Sequence, residues 1–327
     1  MGLGILYSLN IGSDAMETTL IEVFDKTFEF CDKIQYRAYE REAYEQLCAE
    51  VFPGLSFEKW YQAGYWNADQ FNPHVLKDGD KIVSAISVNK IPIKKYNEKP
   101  RLYIQLGGVM TAKTYRHQGL CTTLMDKILT EWEDKCDGIY LFANESVRDF
   151  YPRFGFKAVD EYQYSMEIKS LNYDNKAVRL DMNDKANQSF LLKYYEIGNP
   201  FSALNIDNKG LLMFYCLKYN KNDVYYIEEE DAIVIAGYEN EAIVVYDIFC
   251  KSDISLENII YAIANENTEI IYFGFPLAKT KHCKVTKYEE EDNILFILNK
   301  EGADNLADFL NIPNMNNKLM FPLLTHS

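Results

Sequence analysis

The chain has 327 residues, of which 48% are hydrophobic and 25% charged, and these values are typical of a globular protein with about two domains. Its formal net charge of −15 argues against nucleic acid or an anionic membrane as a partner, because both require a basic surface. The same acidity is compatible with a cationic or amine substrate, and equally with a role in solubility alone. No apolar run approaches the roughly 18 residues of a membrane helix, and the first residues lack a secretory signal, so we predict a cytoplasmic protein.

Cysteine and histidine usage indicates reduced thiols and no metal. The seven cysteines are scattered without a C-x-x-C pair, which argues against a disulfide framework. None of the four histidines stands in H-E-x-x-H or in a Cys/His ligand spacing. We therefore predict no metal site.

The predicted domain organisation has three parts. Residues 1–17 are expected to form an unstructured leader, with Met16 as an alternative start. A first domain is predicted over residues 18–170 and a second over 171–327, joined by the polar segment KSLNYDNK.

The first domain begins with two predicted helices. Apolar residues recur at helical spacing over residues 36–52, and Pro53-Gly54 ends that helix. A second, short helix over residues 57–63 is rich in aromatic residues. A strand, an Asp78-Gly79 turn, a longer strand and a strand over residues 101–111 follow.

The next predicted helix covers residues 119–134. Its residues Leu120, Leu124, Ile128 and Trp132 recur every fourth position and predict one buried stripe. The apolar strand GIYLFAN, a short helix through Tyr151 and a closing strand over residues 162–168 complete this domain.

The second domain repeats the order of strands, helix and strand, with its helix predicted over residues 256–265, so it is predicted to be a divergent internal repeat. Where the first domain has a glycine and an arginine before its long helix, the second has CKSDISLEN, which contains neither.

The most informative segment precedes the helix at residues 119–134. Backbone amides at the start of a helix bind phosphate oxygens, and Gly119 allows a close approach of the backbone to a ligand. Cys121 is small enough to leave that approach open, and Arg116, with Lys113 nearby, supplies charge-assisted contacts.

A second motif follows the GIYLFAN strand. It runs from Asn144 through Tyr151 to the Phe154-Gly155-Phe156 turn, and seven positions separate Asn144 from Tyr151. The two motifs together resemble the GNAT superfamily of N-acyltransferases over roughly residues 18–168. Cys121 and Val147 depart from the residues that the family prefers at those positions.

The resemblance implies a mixed α/β (α+β) fold: a GNAT sheet that is mostly antiparallel and flanked by helices, followed by a second, degenerate GNAT-like α/β domain. It also implies acetyl-CoA as co-substrate, with Tyr151 as the general acid that protonates the leaving thiolate. The implied cofactor-binding residues are Val109, Met110, Thr111, Arg116, His117, Gln118, Gly119, Leu120, Cys121, Thr122 and Asn144.

The acceptor site is less defined in the sequence. Strand 101–111 contains no acidic residue, so the general base is left open among Glu29, Glu58 and Asp69. The aromatic residues Trp60, Tyr61 and Tyr65 are predicted either to line the acceptor pocket or to pack in the core.

The chain end suggests a further candidate. Ser327 and His326 are candidates because the layout distantly resembles aminoglycoside acetyltransferases of the enhanced-intracellular-survival type, which place a C-terminal carboxylate in the active site. A tail that packs on the second domain is the alternative.

These observations predict an N-acetyltransferase that acts on a small-molecule or peptide amine. An aminoacyl or longer-chain acyltransferase and a non-catalytic acyl-CoA-binding module are the alternatives, and a homodimer is compatible with the sequence.

Overall fold

The computed structural model describes residues 6–9, 18–95, 98–168, 176–279, 283–289, 293–299 and 318–326. The chain divides into two compact units. Unit 1 comprises residues 1–91 and 102–141, and unit 2 comprises residues 92–101 and 142–327. Residues 169–175 of the predicted linker, and all of the predicted leader except 6–9, lie outside the described residues. The predicted domain boundaries therefore stay a prediction.

Unit 1 is a sheet whose strands follow in the order β1 to β7. Strands β1 to β5 pair antiparallel in chain order, β6 follows β5, and β6 and β7 are parallel. The elements are β1 (Leu6–Leu9), β2 (Thr18–Val23), β3 (Lys26–Cys31), α1 (Ala38–Val51), α2 (Glu58–Gln62), β4 (Phe71–Asp78), β5 (Lys81–Lys95), β6 (Arg101–Thr111), α3 (Leu120–Trp132) and β7 (Gly138–Ala143).

Unit 2 contains a second mixed sheet with the strand order β10-β12-β13-β14-β15-β9-β16. Its neighbours are antiparallel except β14 and β15, which are parallel. The elements are β8 (Lys157–Val159), β9 (Tyr162–Glu167), β10 (Val178–Arg179), α4 (Lys185–Tyr195), β11 (Leu204–Ile206), α5 (Lys209–Leu217), β12 (Val224–Ile227), β13 (Ala232–Glu239), β14 (Ala242–Phe249), α6 (Leu256–Ile263), β15 (Ile270–Phe273), β16 (Lys284–Lys287) and β17 (Ile294–Asn299).

The predicted mixed α/β architecture is confirmed, with two mixed sheets in the described part of the chain. The strand over residues 101–111 is observed with the predicted bounds, and the helix predicted over 119–134 is α3. The strand predicted to close the first domain is β9, which pairs with β15 and β16 of unit 2. The sequence indicated neither that pairing nor helices α4 and α5.

Helix α3 is held by the apolar stripe that its sequence predicts. Leu120, Leu124, Ile128 and Trp132 are all buried, and Met125 joins them on the same face. This burial fixes which face of α3 packs against the core, because a helix with one apolar face buries that face. None of the described helices is long and apolar enough to cross a membrane.

Leu124→Ala is expected to lower the free energy of unfolding by about 3 kcal/mol, because Leu124 is fully buried and the substitution leaves a cavity. Thr130→Ala on the exposed side of α3 is the control and is expected to change stability by less than about 0.5 kcal/mol. Urea unfolding of both variants measures the difference. Equal losses would contradict the assigned orientation of α3.

Candidate active site

The end of β6 extends beyond its parallel partner. The register between β6 and β7 ends at the pair Leu106 and Leu141, whereas β6 continues to Thr111. Val109 and Met110 lie in this extension, and Ser84 on β5 holds it by donating a hydrogen bond of 2.9 Å to the carbonyl of Met110. Along the extension, β6 has no ladder with β7 among the described residues.

Gly108 bends β6 within that extension. Its φ is 53°, in the left-handed region that favours glycine. A Cβ at this position would lie 3.4 Å from both Ser87 Oγ and the Tyr44 hydroxyl, which are hydrogen-bonded to each other at 2.8 Å. The hydrogen-bonded pair of Ser87 and Tyr44 therefore packs against the backbone at Gly108.

The loop between β6 and α3 is anchored on both sides. The amide of Ala112 donates to the carbonyl of Val83 at 2.9 Å, and the Tyr115 hydroxyl donates to Asp78 at 2.8 Å. The Arg116 Nε donates back to the carbonyl of Thr111 at 3.2 Å. These bonds fix the path of the loop before it enters the helix.

Gly119 is the N-cap residue immediately before α3. Its φ is 77°, and no side chain caps the first turn of the helix. The amides of Leu120, Cys121 and Thr122 thus stand at a helix start without a side-chain acceptor, an arrangement that binds anions. An added Cβ on Gly119 would lie 3.0 Å from the ring of Phe24, at the tip of the β2–β3 hairpin.

The helix start carries exposed basic side chains, while the loop before it also contacts a carboxylate, since Glu50 accepts a hydrogen bond from the amide of Lys113 at 2.6 Å. Arg116 and His117 are exposed, His117 has a φ of 62°, and Lys113 is exposed as well. Among the described residues, no carboxylate forms an ion pair with Arg116. Burial raises the pKa of the Cys121 thiol to about 12, so this thiol stays neutral and is not a nucleophile at neutral pH.

Asn144 and Tyr151 belong to unit 2. Asn144 is exposed and accepts a hydrogen bond from Ser146 at 2.5 Å. Tyr151 is buried, and its ring contacts Phe150 at 5.3 Å and Phe296 at 5.4 Å between centroids. This aromatic packing fixes the ring of Tyr151.

The turn after Tyr151 is built on a glycine in a left-handed conformation. Gly155 has a φ of 88°, and Phe156 is buried. A Cβ on Gly155 would approach Leu298 to 3.2 Å, so a glycine is favoured there by space as well as by backbone conformation.

The aromatic residues proposed for the acceptor pocket differ in environment. Trp60 is buried and stacks on Trp66 at 5.8 Å. Tyr61 lies beneath the Arg41 guanidinium at 3.9 Å from its ring centroid. Tyr65 is half-buried, and burial raises its pKa. Trp60 thus contributes to core packing, and a role in acceptor binding stays a prediction for all three.

The three acidic candidates for the general base lie in separate environments. Glu29 lies 3.4 Å from the Lys77 ammonium. Glu58 is exposed and accepts a hydrogen bond from Gln62 at 2.6 Å. Asp69 is exposed. The choice among the three stays a prediction.

The chain end is anchored in unit 2. The ring of His326 stacks on Phe142 at 4.1 Å, its Nδ1 lies 2.8 Å from the Asn293 side-chain nitrogen, and its Nε2 lies 3.5 Å from Glu161. The Tyr215 hydroxyl donates to the carbonyl of His326. These contacts agree with a packed tail, whereas Ser327 lies outside the described residues.

Two residues that contact the loop before α3 were not identified from the sequence. Phe24 approaches Gly119, and Asp78 holds Tyr115 of the loop. The alternation of apolar and polar residues on both sides of Phe24-Asp25 could have indicated the β2–β3 hairpin. The contact between Asp78 and Tyr115 joins residues 37 positions apart, and no local pattern indicates it.

The cysteines are unpaired by disulfides in this structure. All seven cysteines are free, as predicted. Within the described ranges, no group of three or more His, Cys, Asp or Glu side chains is arranged to hold a metal ion.

Residues 24–159 match the family model of the acetyltransferase (GNAT) domain. This segment resembles a GNAT acetyltransferase domain. The match includes both the loop at residues 116–122 and the segment 144–156, so the family resemblance of the two motifs is confirmed. None of the curated proteins matches the chain.

Solved structures extend the likeness beyond the GNAT segment. The GCN5-related N-acetyltransferase of Kribbella flavida is 12% identical, with a TM-score of 0.51, and the match covers 84% of this chain and 72% of that one. A conserved protein of Enterococcus faecalis V583 is 12% identical, with a TM-score of 0.54 and coverage of 87% and 75%. Eis1 of Mycobacterium abscessus is 14% identical, with a TM-score of 0.50 and coverage of 79% and 71%. At these identities the likeness concerns the fold alone.

Gly119→Ala is expected to lower the free energy of unfolding by about 2 kcal/mol, through left-handed strain and the approach to Phe24. Gly64→Ala is the matched control: its φ is 86° and nothing lies within 4 Å of the added Cβ, so we expect about 1 kcal/mol of strain alone. Urea unfolding compares the two. Adding Phe24→Ala should remove the excess loss at Gly119, and an excess that persists would contradict the contact.

Proposed function

We propose that the protein is an N-acetyltransferase that moves the acetyl group of acetyl-CoA to an amine. The observation that carries the proposal is the uncapped start of α3 behind Gly119, beside an Arg116 that no described carboxylate neutralises. Its place within a GNAT domain supports the same assignment.

The residues of the loop fit a pyrophosphate. The amides from Gln118 to Thr122 would hold the phosphate oxygens, because a helix start presents unpaired donors and a positive dipole. Arg116 would add a charge-assisted bond, and its Nε contact to Thr111 orients the guanidinium. The extension of β6 at Val109 to Thr111, beyond the end of the β7 register, would pair with an amide-bearing arm, as a further strand does.

The chain's part in the reaction is to position groups and to move protons. Acetyl-CoA supplies an acyl thioester that an amine can attack. Tyr151 would donate its hydroxyl proton to the leaving sulfur, and its aromatic contacts to Phe150 and Phe296 hold the ring in place for that donation. The attacking amine must lose a proton, and alignment of the two reactants supplies much of the remaining acceleration.

The acceptor is proposed to be a small-molecule or peptide amine, and the net charge of −15 favours a cationic one. An aminoacyl or longer-chain acyl donor is the second candidate for the same cofactor loop. Parallel assays with acetyl-CoA and palmitoyl-CoA distinguish the two candidates. The donor is the thioester from which free CoA thiol is released in the presence of an amine.

The cofactor site is tested by calorimetric titration with acetyl-CoA. Arg116→Ala is expected to weaken binding about 10- to 100-fold, because a charge-assisted bond contributes about 1.5–3 kcal/mol. Gly119→Glu places a carboxylate at the proposed phosphate position and should abolish binding. Arg179→Ala removes an exposed arginine of unit 2 and should bind as the native chain does. Absence of binding to the folded native chain would overturn the proposal.

The general acid is tested with Tyr151→Phe, which retains the ring packing. We expect kcat to fall about 100- to 1,000-fold, because only the proton donor is removed, while acetyl-CoA affinity changes by less than about threefold. Tyr261→Phe on α6 is the control for loss of a hydroxyl elsewhere and should leave kcat unchanged. Unchanged kcat in Tyr151→Phe, together with intact acetyl-CoA binding, would reject Tyr151 and leave the cofactor site standing.

A further inference from the structure

Unit 2 contains an open cavity of about 940 Å³. It lies between the segment after α4, the start of α5 and strand β14, and all residues that line it belong to unit 2. Its volume falls in the range of sites that hold small organic ligands, about 300–1,000 Å³.

Asp247 is the carboxylate of β14 in the wall of this cavity. Its strand reads AIVVYDIF, in which it is the single charged residue. The Asn199 side chain donates to Asp247 Oδ1 at 2.6 Å, and the amide of Ile248 donates to the same oxygen at 2.9 Å. The second oxygen, Oδ2, accepts no hydrogen bond from any described residue.

The orientation of Asn199 is fixed from behind. Its Oδ1 accepts from the amides of Phe201 at 2.9 Å and Ser202 at 3.2 Å. Because both of these groups are donors, the nitrogen of Asn199 must face Asp247. The carboxylate is therefore held in one rotamer, with Oδ2 free to meet a ligand.

No cationic side chain of the described chain forms an ion pair with Asp247. Lys251, which also lines the cavity, forms its ion pair with Asp231 at 3.4 Å, and Lys94 is a second lining lysine. Burial raises the pKa of Asp247 to about 7, against the lowering effect of the bonds from Asn199 and Ile248. A cation beside Oδ2 would offset the cost of this partly buried charge.

The place of Asp247 in its sheet corresponds to that of Gly108 in unit 1. The parallel register of β14 and β15 ends at Val245 and Phe273, and Asp247 lies two positions further along β14. The register of β6 and β7 ends at Leu106, and Gly108 lies two positions further along β6. A carboxylate thus stands in unit 2 where the proposed acyl-CoA strand of unit 1 has a glycine.

The segment that follows β14 lacks the glycine and arginine that are proposed to bind phosphate in unit 1. Residues 250–255 read CKSDIS and contain no glycine and no arginine. With Asp247 at the wall, an anionic ligand would meet like charge, so this cavity favours the opposite charge.

Aromatic rings line the same cavity. Phe249 lies on the Asp247 face of β14, two positions along the strand, and its ring contacts Tyr195 of α4 edge-on at 5.5 Å. An apolar body can pack on these rings while a charged group reaches the carboxylate, and aromatic rings also attract cations.

We propose that this cavity binds a small organic ammonium ion, with its nitrogen paired to Asp247 Oδ2 and its apolar body against Tyr195 and Phe249. The site shares no residue with the proposed acetyl-CoA loop and does not depend on acetyl transfer.

The proposal predicts a pH dependence. Only the ionised carboxylate attracts the cation, so affinity should fall about tenfold from pH 8 to pH 6. Tyr195 of α4 and Cys216 of α5 are titratable groups within electrostatic range of Asp247, and burial is the main cause that raises the pKa of each. The charged side chains that also line the cavity are Lys94, Glu196, Asp207 and Lys251. Tyr195 and Cys216 therefore stay neutral in that range, so neither of them accounts for the expected change in affinity.

The test is calorimetric titration of the full chain with 2-phenylethylammonium chloride at pH 8. We expect saturable binding that weakens at least tenfold in Asp247→Asn, which keeps the shape and an acceptor for Asn199. Asp253→Asn, an exposed acid outside the cavity, is the matched control and should bind as the native chain does. The neutral isostere 2-phenylethanol should not bind.

A Gly119→Glu chain distinguishes this site from the acetyl-transfer site. It should lose acetyl-CoA binding and retain amine binding that depends on Asp247. No amine binding to the folded native chain, or equal binding in Asp247→Asn, would overturn the proposal. Either result would leave the acetyl-CoA titration, and with it the proposed function, unaffected.

Discussion

The arrangement of the proposed acetyl-CoA loop in unit 1 depends on the parallel pairing of β6 and β7. Two parallel strands cannot be joined by a tight turn, so the chain between them must cross over. Here the crossover contains helix α3. The crossover brings the start of α3 to the carboxyl end of β6. Donors of the uncapped helix and of the strand extension are therefore presented at one edge, as a consequence of chain topology.

The loop at this edge is stabilised by hydrogen bonds to neighbouring strands. Tyr115 is held by Asp78 and Ala112 by Val83, so the path into Gly119 is set by the β4–β5 hairpin. Gly119 itself takes a left-handed conformation with Phe24 close by. The backbone donors are thus preorganised before a ligand arrives, which lowers the entropy lost on binding.

Unit 2 repeats the same topological constraint with different residues. Strands β14 and β15 are parallel and are joined through α6, and the register ends two positions before Asp247. The two units share this strand arrangement but differ in the residue two positions beyond the parallel register. That residue is Gly108 in unit 1 and Asp247 in unit 2. Function accordingly depends on the site and not on the fold that carries it.

The sequence by itself determined the elements whose signal is local. The apolar stripe of α3, the full extent of β6, and the glycine and arginine before the helix follow from spacing and backbone chemistry. The tertiary structure alone decided the partners of β9, the contact of Phe24 with Gly119, and the cavity around Asp247. Those features join residues that are far apart in the chain, so no local pattern predicts them. A single acidic residue in an apolar strand, such as Asp247, indicates burial but does not identify the residues around it.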